Sequence, residues 1–169
     1  GGVTAGNNAN GNLYFYWAIA KNVPSNTTLT NSFRTVKYTG TGSAQSITGV
    51  GFKPDFVWVK NRDTNFSHAL ADNLRGATRY VKSNSTAAEA VDNTTLTSFD
   101  SDGFSIGSAG GSYGNNNDNY IAWCWKAAGG ATSNSDGSTT STVNANKAAG
   151  FSIVTYTGTG SNASVGHGL

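Results

Sequence analysis

Nine acidic side chains, two histidines and one cysteine are the groups in this 169-residue chain with the means for acid–base, nucleophilic or metal chemistry. Glycoside cleavage needs two carboxylates flanking the scissile bond, ~5–9.5 Å apart. Most acids here sit in turn-like sequence, as in Asn61-Arg62-Asp63 and Val91-Asp92-Asn93, and no pair, Glu89 included, stands out. Asp100-Ser101-Asp102-Gly103 begins like a calcium loop, with Asp100 and Asp102 as candidate first ligands and Asp118 as a possible neighbour. Position 111, where a further carboxylate belongs, is Gly. A hairpin turn capped by its own Asp side chains is the plainer reading. No cofactor is expected, and calcium at Asp100 and Asp102 is the one metal to consider.

His68 lies in Ser67-His68-Ala69-Leu70-Ala71-Asp72. Neighbours on a strand alternate faces, so these residues cannot form a Ser-His-Asp relay. His167 sits between glycines, and two histidines alone do not make a zinc site. Cys124 has no partner for an intrachain disulfide and reads as a small buried apolar residue. Gly40 and Gly42 resemble a phosphate loop only superficially: no Lys follows, and no helix opens behind them. No catalytic residue is assigned, and the expectation is a protein that is not an enzyme.

The aromatic residues are the stronger resource. Trp17, Trp58, Trp123, Trp125 and seven Tyr offer flat apolar faces with hydrogen-bonding rims, suited to stacking on sugar rings. Packing in a core or between subunits is the competing use of such residues. Trp58, on the strand face opposite Val57 and Val59, is the first choice for a ligand or interface contact, with Trp125 and Tyr113 beside it.

The elements that must position these residues are strands. Charged residues are 12% of the chain and the net charge is +2, with Lys and Arg scattered; nucleic acid is not an expected partner. Polarity comes from Ser, Thr, Asn and 22 Gly, which suits β-structure with many turns. No run approaches the ~18 apolar residues of a membrane helix, so membrane insertion is not expected. Residues 1–10 carry no signal-peptide pattern.

Arg34–Tyr38, Phe56–Lys60, His68–Asp72, Arg79–Lys82, Leu96–Phe99, Phe104–Ile106 and Tyr120–Trp125 read as strands, with a hairpin turn at Asp100–Gly103 and a hint of a helical turn at Thr86–Val91. Seven short strands in ~95 residues is the density of an antiparallel β-sandwich. Val36, Val57, Val59, Leu70, Leu74, Leu96, Phe104, Ile106, Ile121 and Trp123 are the expected core.

Phe33–Ser43 recurs as Phe151–Ser161, 118 residues later, and nine of fifteen positions are identical over 33–47 against 151–165. More faintly, Leu13–Ala18 echoes Asn119–Cys124, Tyr14 matching Tyr120 and Trp17 matching Trp123. The layout this implies is 1–32, the end of one repeat and a connector; 33–127, a complete sandwich repeat; 128–150, a Gly/Ser/Thr/Asn-rich linker or surface loop; and 151–169, the opening of a further repeat that continues beyond Leu169 in a longer product.

These motifs together resemble a known family. Tyr38-Thr39-Gly40-Thr41-Gly42-Ser43, then 51–63 (Gly-Phe-Lys-Pro-Asp-Phe-Val-Trp-Val-Lys-Asn-Arg-Asp), Leu74–Thr78, Ser101–Gly107 and Asn119–Lys126 are similar to a repeat of marine bacteriophage tail-fibre and tail-spike proteins. The resemblance implies tandem concanavalin-like or jelly-roll sandwiches in an extracellular virion appendage. It implies a homo-oligomer, a trimer in the first place, that contacts a host-surface glycan or protein. A polysaccharide depolymerase and a purely architectural filament or capsid-decoration subunit are the alternatives.

Overall fold

The computed structural model describes residues 31–108, 110–127 and 130–169. These residues build twelve strands and no α-helix: β1 Phe33–Thr39, β2 Gln45–Ile47, β3 Phe56–Asn61, β4 Ala69–Asp72, β5 Arg79–Tyr80, β6 Ala90–Val91, β7 Leu96–Asp100, β8 Gly103–Ile106, β9 Asn119–Trp125, β10 Thr132–Asn134, β11 Ser141–Asn146 and β12 Phe151–Tyr156. All seven anticipated strands are present. The helical turn expected at Thr86–Val91 is instead extended, and Ala90–Val91 pairs with β5. The echo at 13–18, with Trp17, lies outside the described residues.

Two antiparallel sheets face each other across one core. The first has the order β1-β9-β3-β4 and the second β2-β8-β7. From the first sheet Val57, Val59, Ala69, Ala71, Tyr120, Ala122 and Cys124 point inward; Ile47, Leu96, Phe104 and Ile106 answer from the second, with Val50, Phe52 and Tyr113 from loops. The expected all-β sandwich is the observed architecture.

The assignment of faces differs from expectation on β9 and β4. Ile121 and Trp123, expected in the core, point outward, while Tyr120, Ala122 and Cys124 are fully buried. On β4 it is Ala69 and Ala71, not Leu70, that face inward. Leu74 is half-buried, outside the central cluster. The reason is volume. Phe104, Tyr113 and Phe52 fill the space between the sheets, so small side chains fit opposite them and a tryptophan does not.

The β7–β8 hairpin turns through Ser101 and Asp102. A side chain at Gly103 would collide with the Ile47 carbonyl, so a close approach of β2 dictates this glycine as much as the turn does. The 110–118 loop is pinned to the sheet by a buried polar knot. Asn61 Nδ2 donates to Asp118 Oδ2 (2.8 Å) and to Tyr120 Oη (3.0 Å). The Tyr120 hydroxyl donates to the Gly111 carbonyl (2.8 Å) and accepts from Asn115 N (2.9 Å).

The 128–150 stretch, expected as a linker or loop, carries β10 and β11, which form a three-stranded sheet with β12 in the order β10-β11-β12. Polar sequence hid these strands. Their ladders are reinforced by side-chain bonds to backbone: Ser141 Oγ donates to the Gly166 carbonyl (3.0 Å), and Asn146 Nδ2 donates to the Lys126 carbonyl (3.0 Å).

The two facings make a contrast that unfolding measurements resolve. Phe104→Ala opens a cavity in the core and is expected to lower the unfolding free energy by about 3–5 kcal/mol. Trp123→Ala, on the outer face, is expected to cost less than about half as much. Denaturant titration of the two variants checks this order.

Candidate functional site

The outer face of the first sheet gathers the large aromatic residues. Strand register sets them in rows: Thr35, Trp123, Trp58 and Leu70 lie side by side across the four strands, and Phe33, Trp125 and Phe56 form the row beside them. Lys37, Ile121 and Lys60 make a third row. The β10-β11-β12 sheet meets this face at Phe56 and Trp125, and Trp58, Trp123 and Trp125 are each half-buried.

The two halves of the face do different work. Trp125 stacks on Phe151 of β12 (5.8 Å between centroids, 19° between planes) and also packs against Phe33 and Phe56. It seats the β10-β11-β12 sheet and is spent on packing. Trp58 and Trp123 pair with each other instead (5.6 Å, 55°). Their rims are polar. Trp58 Nε1 donates to His68 Nδ1 (2.8 Å), and the Lys60 ammonium is held beside them by the Asn61 and Thr64 carbonyls. A rigid pair of indoles with an imidazole, two lysines and Thr35 around it offers apolar faces for ring C–H groups and donors for hydroxyls.

The other candidates fall elsewhere. Tyr113 is 2% exposed, packs edge-on against Tyr80 and presents no contact surface; its carbonyl accepts the Tyr38 hydroxyl (2.8 Å). Asp100 accepts the hydroxyls of Ser98 and Ser105 (both 2.7 Å). Asp102 accepts the amides of Gly49 and Gly51, which hold its carboxyl below the usual range. The two carboxylates thus serve different elements. No group of three or more His, Cys, Asp or Glu gathers among the described residues. Cys124 is buried, and burial pushes its thiol up to about 12.

All nine acids lie in described segments, and each accepts a hydrogen bond from structural neighbours. Asp55 binds Asn73 and the Ala127 amide, Asp63 binds Asn119, Asp118 binds Asn61 and Asn115, Asp92 binds Thr94, and Asp136 binds Asn134. Asp72 is paired with Arg75 (2.6 Å), and Glu89 joins Arg75 and Arg79 (3.0 and 2.8 Å). His68 is bonded to Trp58, not to Asp72, so no relay forms with Ser67. His167 lies on an exposed loop, where Nδ1 accepts the Leu169 amide.

Sequence reasoning singled out Trp58 and missed Trp123, which it placed in the core. The signal was available in the alternation of β9: Ala122 and Cys124 are the small residues that a sandwich interior accepts when the opposite sheet is aromatic.

Residues 28–169 match the family described as Domain of unknown function (DUF7483). No curated protein and no solved structure matches.

The Trp58–His68 bond makes the platform sensitive to pH. Burial, then the Lys60 ammonium, hold the His68 imidazole below its ordinary value of 6.5. With Nδ1 accepting, the neutral ring carries its proton on Nε2. A second proton has to add at Nδ1, the atom that accepts the Trp58 N–H, and the folded state binds it less readily than the unfolded one, so the stabilisation is complete above pH 6.5 and is lost as pH falls through the depressed value. The indole N–H resonance of Trp58 is expected to titrate with a midpoint below 6.5 and to stop titrating in His68→Ala. A midpoint at or above that value would contradict the assignment.

Proposed function

The chain belongs to the DUF7483 family, and we propose that its sandwich is an adhesive structural module, one of a tandem set in a virion fibre, that holds a surface glycan on the outer face of the first sheet. One observation carries the reading: Trp58 and Trp123 stand next to each other on adjacent central strands, half-open and ringed by polar groups. A sheet fixes such a pair without loop ordering, so little conformational entropy is lost when a sugar stacks on it. The position in a virion appendage rests on the resemblance to tail-fibre repeats.

Two further features support binding over cleavage. Every carboxylate accepts a hydrogen bond from an amide, hydroxyl, side-chain amide or guanidinium of the fold, which gives each a structural role. The surface has little net charge, which suits a neutral or mixed polysaccharide. One such platform binds weakly. Repetition along a fibre, and trimerisation, would multiply weak contacts through effective concentration.

The test is retention of the protein on host-derived polysaccharide and on a glycan array, presented multivalently. The wild-type chain is retained, and Trp58→Ala and Trp123→Ala each weaken binding about tenfold, roughly 1.4 kcal/mol, while still unfolding cooperatively. Equal retention of both variants, or release of reducing ends from the polysaccharide, would overturn the reading.

A further inference from the structure

The repeated sequence folds alike in its two positions but, among the described residues, is completed in only one. β1 and β12 are both strands that lead into Thr-Gly-Thr-Gly-Ser, at 39–43 and 157–161. In each, the second Thr hydroxyl donates to the carbonyl two residues on: Thr41 to Ser43 and Thr159 to Ser161, both 3.2 Å. Gly42 and Gly160 share a left-handed conformation, φ +70 and +73.

Around β1 this motif meets β9 and the loop before it. Tyr38 stacks on Tyr120 (5.0 Å, 10°). Gly42 N donates to the Gly114 carbonyl (2.8 Å), and Asn117 N donates to the Gly40 carbonyl (2.9 Å). The chain passes so close that a Cβ on Gly40 would strike the Asn115 carbonyl. Around β12 the same positions are open among the described residues. Tyr156, the counterpart of Tyr38, is 61% exposed. Gly158, the counterpart of Gly40, has nothing within 4 Å of where its Cβ would stand and no positive φ to require a glycine. Neither the backbone nor the packing around it accounts for glycine at 158; an approach like that of Gly114–Asn115 would.

We infer that the edge of β12 left open among the described residues is a docking site for a loop and antiparallel strand of the Gly114–Trp125 pattern, supplied by another copy of this sandwich module. The docked strand takes the place along β12 that β9 takes along β1, a Tyr meets Tyr156, and the preceding loop closes over Gly158. The β10-β11-β12 sheet, already seated on Trp125 through Phe151, then becomes part of the next sandwich, and successive modules are joined by shared sheets. This joining deepens the tandem arrangement of the proposed function and does not depend on the Trp58–Trp123 platform.

The register gives a specific readout. Lys126 N donates to the Ser32 carbonyl and Gly40 N to the Asp118 carbonyl, both 2.9 Å, at the two ends of the β1–β9 ladder. Antiparallel hydrogen-bonded pairs recur at every second residue, so even-numbered β1 residues face β9. Their counterparts are Ser152, Val154 and Tyr156.

The probe is a synthetic peptide of residues 110–126 with a solubilising Lys tail, added to the full chain. One peptide is expected to bind per chain and to slow amide exchange at Ser152, Val154 and Tyr156, where a scrambled peptide does nothing. Gly158→Ala is expected to keep the unfolding midpoint, because its surroundings are open, and to weaken peptide binding at least tenfold. Failure of the peptide to bind, equal binding to Gly158→Ala, or the three amides already protected in the peptide-free monomer would each overturn the inference. None of these outcomes touches glycan retention, so the two readings stand or fall separately.

Discussion

The fold depends on how volume is divided across the interior of the sandwich. Phe52, Phe104 and Tyr113 reach into the gap, and Ala69, Ala71, Ala122 and Cys124 make room for them. Strand alternation then leaves no choice for the residues between: Phe56, Trp58, Ile121, Trp123 and Trp125 must lie on the outside of the sheet. Shifting β9 by one residue would put two tryptophans into a space sized for alanine and cysteine. The core and the aromatic outer face are therefore one arrangement seen from its two sides.

Polar bonds fix what packing leaves free. The Asn61–Asp118–Tyr120 knot holds the 110–118 loop over the end of β1. Asp102 ties the β7–β8 turn to Gly49 and Gly51. Arg75 joins Asp72 on β4 to Glu89 in the loop before β6. With few charges in the sequence, each carboxylate serves as a local fastener.

Much of this was legible in the sequence. Val57 and Val59 against Phe56 and Trp58 gave the facing of β3, and Asp100–Gly103 gave a hairpin. The fuller aromatic face was not legible because Tyr120-Ile121-Ala122-Trp123-Cys124-Trp125 alternates between two plausible apolar sets, and hydrophobicity alone favours burying the larger one. Choosing correctly requires knowing what stands opposite, which is a tertiary fact. Tyr113 misled in the other direction, since nothing local marks a tyrosine in a Gly/Asn loop as buried. β10 and β11 were hidden because Ser, Thr and Asn read as loop until pairing with β12 supplies their partners.

The central claim is the facing of β9, because both the outer platform and the interior rest on it. Hydroxyl-radical footprinting of the native protein, read residue by residue by mass spectrometry, tests it in one measurement. The account predicts oxidation at Trp58 and Trp123 with Tyr120 and Cys124 protected until the protein unfolds. Rapid oxidation of Cys124 with Trp123 protected would contradict it.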